Sequence, residues 1–263
     1  MSTIPWTGRA ASRVRMPLVA TGALLLLGAS TRTLIPQLRP VAVAVFAVGM
    51  ALYIRIGTPR AAPIELGLPV HGRWKAVNSP SSRVPSHGLH AWSQTYAIDL
   101  VNEPDDRPRP TNQWWPLARR PTDYPGFGQP VHAPAAGTIV RSFDLARDHW
   151  SRTSPLALLY FVVESVRELF GPIGVLGNYI VIRTDGGSCV LVAHLKRRST
   201  EVRCGQRVEQ GQLIGRCGNS GNSTEPHVHL QVMDKASVWF AAGLPFRFDG
   251  AAPPRNGDTL SHA

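Results

Sequence analysis

Cys217-Gly218-Asn219-Ser220-Gly221-Asn222-Ser223-Thr224-Glu225-Pro226-His227-Val228-His229-Leu230-Gln231 opens as a glycine-rich turn and closes as a strand. Along a strand, residues i and i+2 face the same way. His227 and His229 therefore present two imidazoles at one spot, aimed there by the Gly/Asn/Ser turn. Imidazole is the commonest protein metal ligand, and zinc accepts it readily.

Working outward, Leu191-Val192-Ala193-His194-Leu195 is a short apolar strand ending on a histidine, and Tyr96-Ala97-Ile98-Asp99-Leu100 is one carrying an aspartate. With Gly218-Asn219-Ser220-Gly221 through His229, the three motifs stand in the order of the lysostaphin-like zinc metallopeptidases (peptidase family M23), which cleave peptidoglycan peptides. The resemblance covers roughly residues 74–248. It implies a catalytic Zn2+ with Asp99 and His229 as two ligands, and His194 and His227 as catalytic histidines beside the metal. One departs from the pattern His-x-x-x-Asp: Thr95 stands four residues before Asp99. Two histidines lie upstream, in Ser86-His87-Gly88-Leu89-His90. A branch of the family with a strand like Gln94–Asp99 draws its first histidine from such a loop. His87, in its Ser-His-Gly turn, is the favoured third ligand, and His90 the alternative. Asn178 resembles a family position near the site that can donate to a substrate carbonyl, and Gln231, two residues beyond His229, is placed to orient a histidine. If neither upstream histidine ligates, the domain is a catalytically inactive one that binds cell wall or activates a partner hydrolase.

Charge is unevenly placed. Residues 1–60 hold seven arginines and no acid, whereas the rest holds 21 Lys/Arg against 17 Asp/Glu. The excess flanks two apolar runs, Met16–Ser30 and Pro40–Ile54, each 15 residues long. That suits a membrane surface better than a nucleic-acid groove. The runs fall slightly short of the ~20 residues of a usual span, and flanking arginines can extend them by snorkelling. Two spans joined by Thr31–Arg39 make a transmembrane hairpin; a signal peptide followed by one anchor is the other arrangement. The positive-inside count sets Arg9, Arg13, Arg15, Arg55 and Arg60 against Arg32 and Arg39, which favours a cytoplasmic domain. Peptidoglycan chemistry requires the outer side, so the expected placement is the bacterial cell membrane with an extracytoplasmic catalytic domain.

The fold class expected is mainly β: a small antiparallel sheet or barrel-sandwich domain with one inserted helix, after the helical hairpin. Residues 1–57 are the membrane segment, 58–70 a linker, 71–248 the peptidase domain, and 249–263 a disordered tail. Within the domain, 143–175 is an insertion whose Pro155–Phe170 stretch reads as a helix. Gln94–Val101 reads as one strand. Glu103–Arg120 is a long Pro-rich loop whose Trp114 and Trp115 either line a groove or cover an edge. His132 reads as structural. Cys189, Cys204 and Cys217 lack metal-ligand spacing; a Cys204–Cys217 bridge and three free thiols are both open. A lipoyl-type carrier barrel is disfavoured, because the Asp185-Gly186-Gly187 hairpin offers no lysine.

Overall fold

The structure is a computed structural model and describes residues 6–30, 36–110, 114–155, 166–167 and 170–262. Its centre is a nine-stranded sheet. The strands are β2 (Gly72–Val77), β3 (Ile98–Asn102), β5 (Gly137–Phe143), β6 (Asn178–Thr184), β7 (Cys189–Leu195), β8 (Arg207–Val208), β10 (Val228–Met233), β11 (Gly243–Leu244) and β13 (Thr259–His262). They lie in the order β13-β2-β3-β10-β7-β6-β5-β8, with β11 on β10, and every pair is antiparallel. Two small sheets flank it: β4 (Pro130–His132) pairs with β9 (Leu213–Arg216), and β1 (Ile64–Leu66) runs parallel to β12 (Phe246–Phe248).

Strand alternation explains where the core sits. Ile98, Leu100, Ile180, Ile182, Val190, Val192, Val228, Leu230 and Val232 point to one face and form the main cluster with Trp74 and Ile214. The intervening Val181, Cys189, Leu191, Ala193 and Met233 point the other way, onto a second cluster with Trp92, Leu176 and Val238. β7 is buried along its whole length. Each such aliphatic side chain contributes about 1.5–3 kcal/mol on burial, so β7 and β10 are fixed as the central pair.

The N-terminal segment forms α1 (Trp6–Ser30) and α2 (Arg39–Ile54), packed on each other. Over Gly8–Ser30, α1 is long and apolar enough to cross a membrane by length and composition; α2 is apolar and shorter. The first turns of α1 do not flank a bilayer freely. Arg13 pairs with Asp234 at 2.8 Å, Arg9 approaches the same carboxylate at 3.4 Å, and buried Arg15 donates to the Ala241 carbonyl at 3.0 Å.

Three expectations are corrected. The tail at 249–263 is not disordered: Thr259–His262 pairs with Gly72–Lys75, and Leu260 packs on the main cluster. The linker at 58–70 contains β1, held to β12. Gln94–Val101 is not one strand: Ala91–Tyr96 makes tight helical turns, with Trp92 and Ser93 left-handed, and β3 starts only at Ile98. The Ser93 hydroxyl donates to the Val238 and Ala241 carbonyls and holds that bend. The cysteines are free thiols, with Cys189 and Cys217 buried. Most of the Pro155–Phe170 helix lies outside the described residues; within 143–175, Gly171–Leu176 is helical (α3).

Candidate metal centre

Asp99 and His229 sit directly opposite each other on β3 and β10. Both face away from the main cluster. The His229 Nδ1 lies 2.8 Å from Asp99 Oδ1, and its Nε2 lies 3.0 Å from Gln231 Oε1. The amide oxygen only accepts, so Nε2 carries the proton toward Gln231 and Nδ1 is left to face the carboxylate. Gln231 is fixed in turn by donating to the Trp92 carbonyl at 2.9 Å. From the other side His87 brings Nε2 to 3.0 Å from Asp99 Oδ2, while its Nδ1 meets the Ser86 hydroxyl at 3.0 Å. One donor atom from each of His87, Asp99 and His229 lies within 4.8 Å of the others.

This donor set fits a zinc ion. It supplies two imidazoles and a carboxylate, a combination catalytic zinc sites use. Each imidazole has its outer nitrogen engaged elsewhere, the arrangement that orients ligand histidines. Burial alone would raise the Asp99 pKa; the surrounding His87, His227 and His229 instead hold it well below the usual carboxylate range. Burial would lower the His229 pKa, but its bond to Asp99 and that carboxylate's charge raise it.

His194 reaches the same place by breaking the alternation of β7. Pairing with β6 jumps from Tyr179↔Ala193 to Asn178↔Leu195, so His194 is the extra residue of a bulge. Its φ is +59°. Bulges re-aim side chains in this way. The ring turns onto His227 and His229, with centroids 4.6 and 5.7 Å away. Its Nδ1 donates to the Ser220 carbonyl at 2.8 Å, which leaves Nε2 as an acceptor. Burial, with His227 and His229 nearby, keeps its pKa well below the ordinary value. The turn that supplies Ser220 needs close backbone contact: a Cβ on Gly221 would lie 2.3 Å from the Gly177 nitrogen, and both glycines have positive φ.

His227, one residue before β10, shares the face of His229. Its Nδ1 donates to the Glu225 carbonyl at 2.8 Å and also lies 3.1 Å from the Ser223 hydroxyl. Its Nε2 stands 3.6 Å from Asp99 Oδ1. Arg109, from the long Pro-rich loop, pairs with the Glu225 side chain and ties that loop to the histidine turn. Burial pushes the Glu225 carboxyl up, against the pull of Arg109.

The structure therefore brings together His87, Asp99, His194, His227 and His229, with Gln231 behind His229. It places His90 elsewhere. That ring is fully buried, with Nδ1 3.0 Å from the Thr95 hydroxyl and Nε2 3.4 Å from the Thr58 hydroxyl. Asn178 departs from its expected role. Its amide donates to the Ala146 and Leu195 carbonyls, both at 2.9 Å, and its oxygen accepts from the Ala146 N–H at 2.7 Å. Both amide protons are used, and none is left for substrate. His132 packs edge-on against His71, apart from the site. Trp114 and Trp115 are exposed. Sequence reasoning missed Asn78, whose amide donates to Asp99 Oδ2 at 2.9 Å. It closes the gap after β2, and nothing in a Val-Asn-Ser-Pro loop marks it.

Residues 156–239 match the family description "Peptidase family M23". The match spans β6 to β10 and includes His194, His227 and His229. His87 and Asp99 lie outside it, so their place in the site rests on the geometry above. A 57-residue stretch is 42% identical to the peptidoglycan DD-endopeptidase ShyC of Vibrio cholerae serotype O1, covering 22% of this chain and 13% of that protein. A 77-residue stretch is 39% identical to the peptidoglycan DD-endopeptidase ShyA of the same organism, covering 26% of this chain and 17% of that protein. The chain thus spans under a fifth of the length of these curated relatives. Among solved structures, the catalytic domain of lysostaphin from Staphylococcus simulans is similar at 22% identity and a TM-score of 0.34, over 59% of this chain and 76% of that one. Residues 156–239, across the strands that bear three of the five converging side chains, are thus similar to peptidase family M23.

Proposed function

We propose that the protein is a membrane-anchored zinc metalloendopeptidase that hydrolyses peptide bonds in peptidoglycan. The observation that carries this is the convergence of His87 Nε2, the Asp99 carboxylate and His229 Nδ1, beside two histidines whose outer nitrogens are tied to carbonyls. Bound there, zinc would lower the pKa of a coordinated water towards ~7 and polarise the scissile carbonyl. The rest falls to the chain's own groups. Asp99, His87 and His229 hold the metal. His194 presents a neutral, buried Nε2 that can take a proton from the attacking water. His227, with Nδ1–H fixed on the Glu225 carbonyl, offers its Nε2 to the same proton or to the leaving amine. The two relatives named as peptidoglycan endopeptidases support the substrate class.

The α1–α2 hairpin is read as the membrane anchor. Leu24, Leu27, Val41, Val43 and Val48 point outward and exposed, as lipid-facing side chains would. The arginine count no longer opposes an extracytoplasmic domain. Arg9 and Arg13 face Asp234, and Arg15 is buried on Ala241. Arg55 and Arg60 then stand against Arg32 and Arg39, two on each side.

The test is incubation of the zinc-loaded full chain in detergent with purified peptidoglycan of several cross-link types. New amino termini, absent with His194→Ala, are expected. No release from any wall by a zinc-replete protein would leave a wall- or partner-binding domain as the better account.

A further inference from the structure

We propose that the α1–α2 hairpin, together with Thr58 and Pro59 that follow it, is a working part of the metal centre, because its docking holds the two segments that position His87 and His229. The proposal rests on reading that centre as a zinc site.

Two hydrogen-bonded paths carry it. The first starts at the end of α2. The Tyr53 carbonyl accepts the His90 N–H at 2.9 Å. The Thr58 hydroxyl lies 3.4 Å from the His90 ring, whose other nitrogen lies 3.0 Å from the Thr95 hydroxyl. The Tyr96 hydroxyl donates to the Pro59 carbonyl at 2.7 Å. These contacts hold the middle and the C-terminal end of the 86–96 segment against the end of α2 and against Thr58 and Pro59, which follow it. Within that segment, Ser86 donates to the Gln94 carbonyl at 3.1 Å and meets His87 Nδ1 at 3.0 Å. His87 is supplied by a loop and has no strand of its own, so its position depends on this bracing.

The second path starts on α1. Arg15 donates to the Ala241 carbonyl at 3.0 Å, and the same oxygen accepts from Ser93 at 2.8 Å. Ser93 adjoins Trp92, whose carbonyl takes the Gln231 amide proton at 2.9 Å, and Gln231 Oε1 fixes the His229 ring at 3.0 Å. Both Trp92 and Ser93 have left-handed φ. Such a backbone persists only where its surroundings over-determine it, and Arg15 is one of the groups doing so. Arg15 and Tyr96 are thus positioning residues. A mere anchor would need none of these contacts to converge on the ligand-bearing segments.

The experiment uses the full chain in detergent, native and with Arg15→Met and Tyr96→Phe, singly and together. Zinc affinity is read by competition with a chromophoric chelator. Amide hydrogen exchange is read over residues 86–96 and, as internal control, over 189–195. Expected is a loss of zinc affinity of about tenfold or more in Arg15→Met, a smaller loss in Tyr96→Phe, and faster exchange at 86–96 with 189–195 unchanged. Tyr96→Phe removes one oxygen and tests the proposal even if Arg15→Met does not fold. Zinc affinity and exchange at 86–96 equal to native in the variants would overturn the proposal and leave the zinc reading standing. A native chain that takes up no zinc would overturn the zinc reading itself, and this proposal with it.

Discussion

The His87 ring stands 3.0 Å from the Asp99 carboxylate, Nε2 to Oδ2, although no strand or helix carries it there. Asp99 is opposed by His229 on a paired strand, so two of the three donors are set by sheet register and one by a braced loop. Deleting donors should separate the two upstream histidines. His87→Ala and His229→Ala are each expected to cost at least tenfold in zinc affinity, measured by chelator competition. His90→Ala should leave three donors, cost about 1–3 kcal/mol of fold stability for the buried Thr95 hydroxyl it strands, and weaken zinc binding less than either ligand deletion, because its ring only braces the segment that carries His87. Zinc loss in His90→Ala as deep as in His87→Ala, with an unchanged melting temperature, would assign the ligand wrongly here.

His194 should be separable from metal binding. Its Nε2 is free to accept, and its Nδ1 is spent on Ser220. His194→Ala is expected to keep near-native zinc content while peptidoglycan hydrolysis drops about 100- to 10,000-fold. Metal analysis and product release on the same sample check both halves.

Asn178 should behave as a structural group. Asn178→Ala strips the Ala146 N–H and carbonyl of their side-chain partner in a partly buried place, and removes one of two donors from the Leu195 carbonyl, which keeps the Ser220 hydroxyl. A loss of about 2–3 kcal/mol is expected, with KM for a peptide substrate unchanged. A raised KM at unaltered stability would restore it as a substrate donor.

Acid should weaken the fold through His149. Burial pushes this ring down to about 4, against the pull of the Trp150 and Gly221 carbonyls that face it. Unfolded, it titrates near ~6.5. Between these values the unfolded chain binds the extra proton, so stability rises with pH through that window and is fully present above it. Thermal unfolding in detergent should show the melting temperature falling as pH drops from about 6.5 to about 4. His149→Gln is expected to flatten that slope.

Part of the centre was legible because two of its residues sit where short-range pattern decides. His227 and His229 share a face by alternation, whereas Asp99 is expected beside them only from the family resemblance, and the pairing of β3 with β10 is what sets it there. Cys189–Leu195 and the β6 strand were readable as continuous apolar runs, the mark of burial on both faces. What sequence hid was longer in range. His194 belongs by alternation to the wrong face, and only the bulge opposite Asn178 turns it round. Asn78 and the Arg109–Glu225 pair come from loops whose course is set by what they land on. The last residues read as a tail because Thr259–His262 is short and mostly polar; an unpaired edge at β2 makes it a strand.

Docking of the hairpin has a consequence for reach. His90 rests on the Tyr53 carbonyl near the end of α2, and His87 is three residues away, at most about 11 Å of chain. A peptidase on a slack tether sweeps a range of heights above its membrane. One held like this works at a single height, set by the fold and indifferent to linker length while the contacts last. Of a substrate layered outward from the bilayer, such an enzyme would cut only the stratum nearest its own anchor.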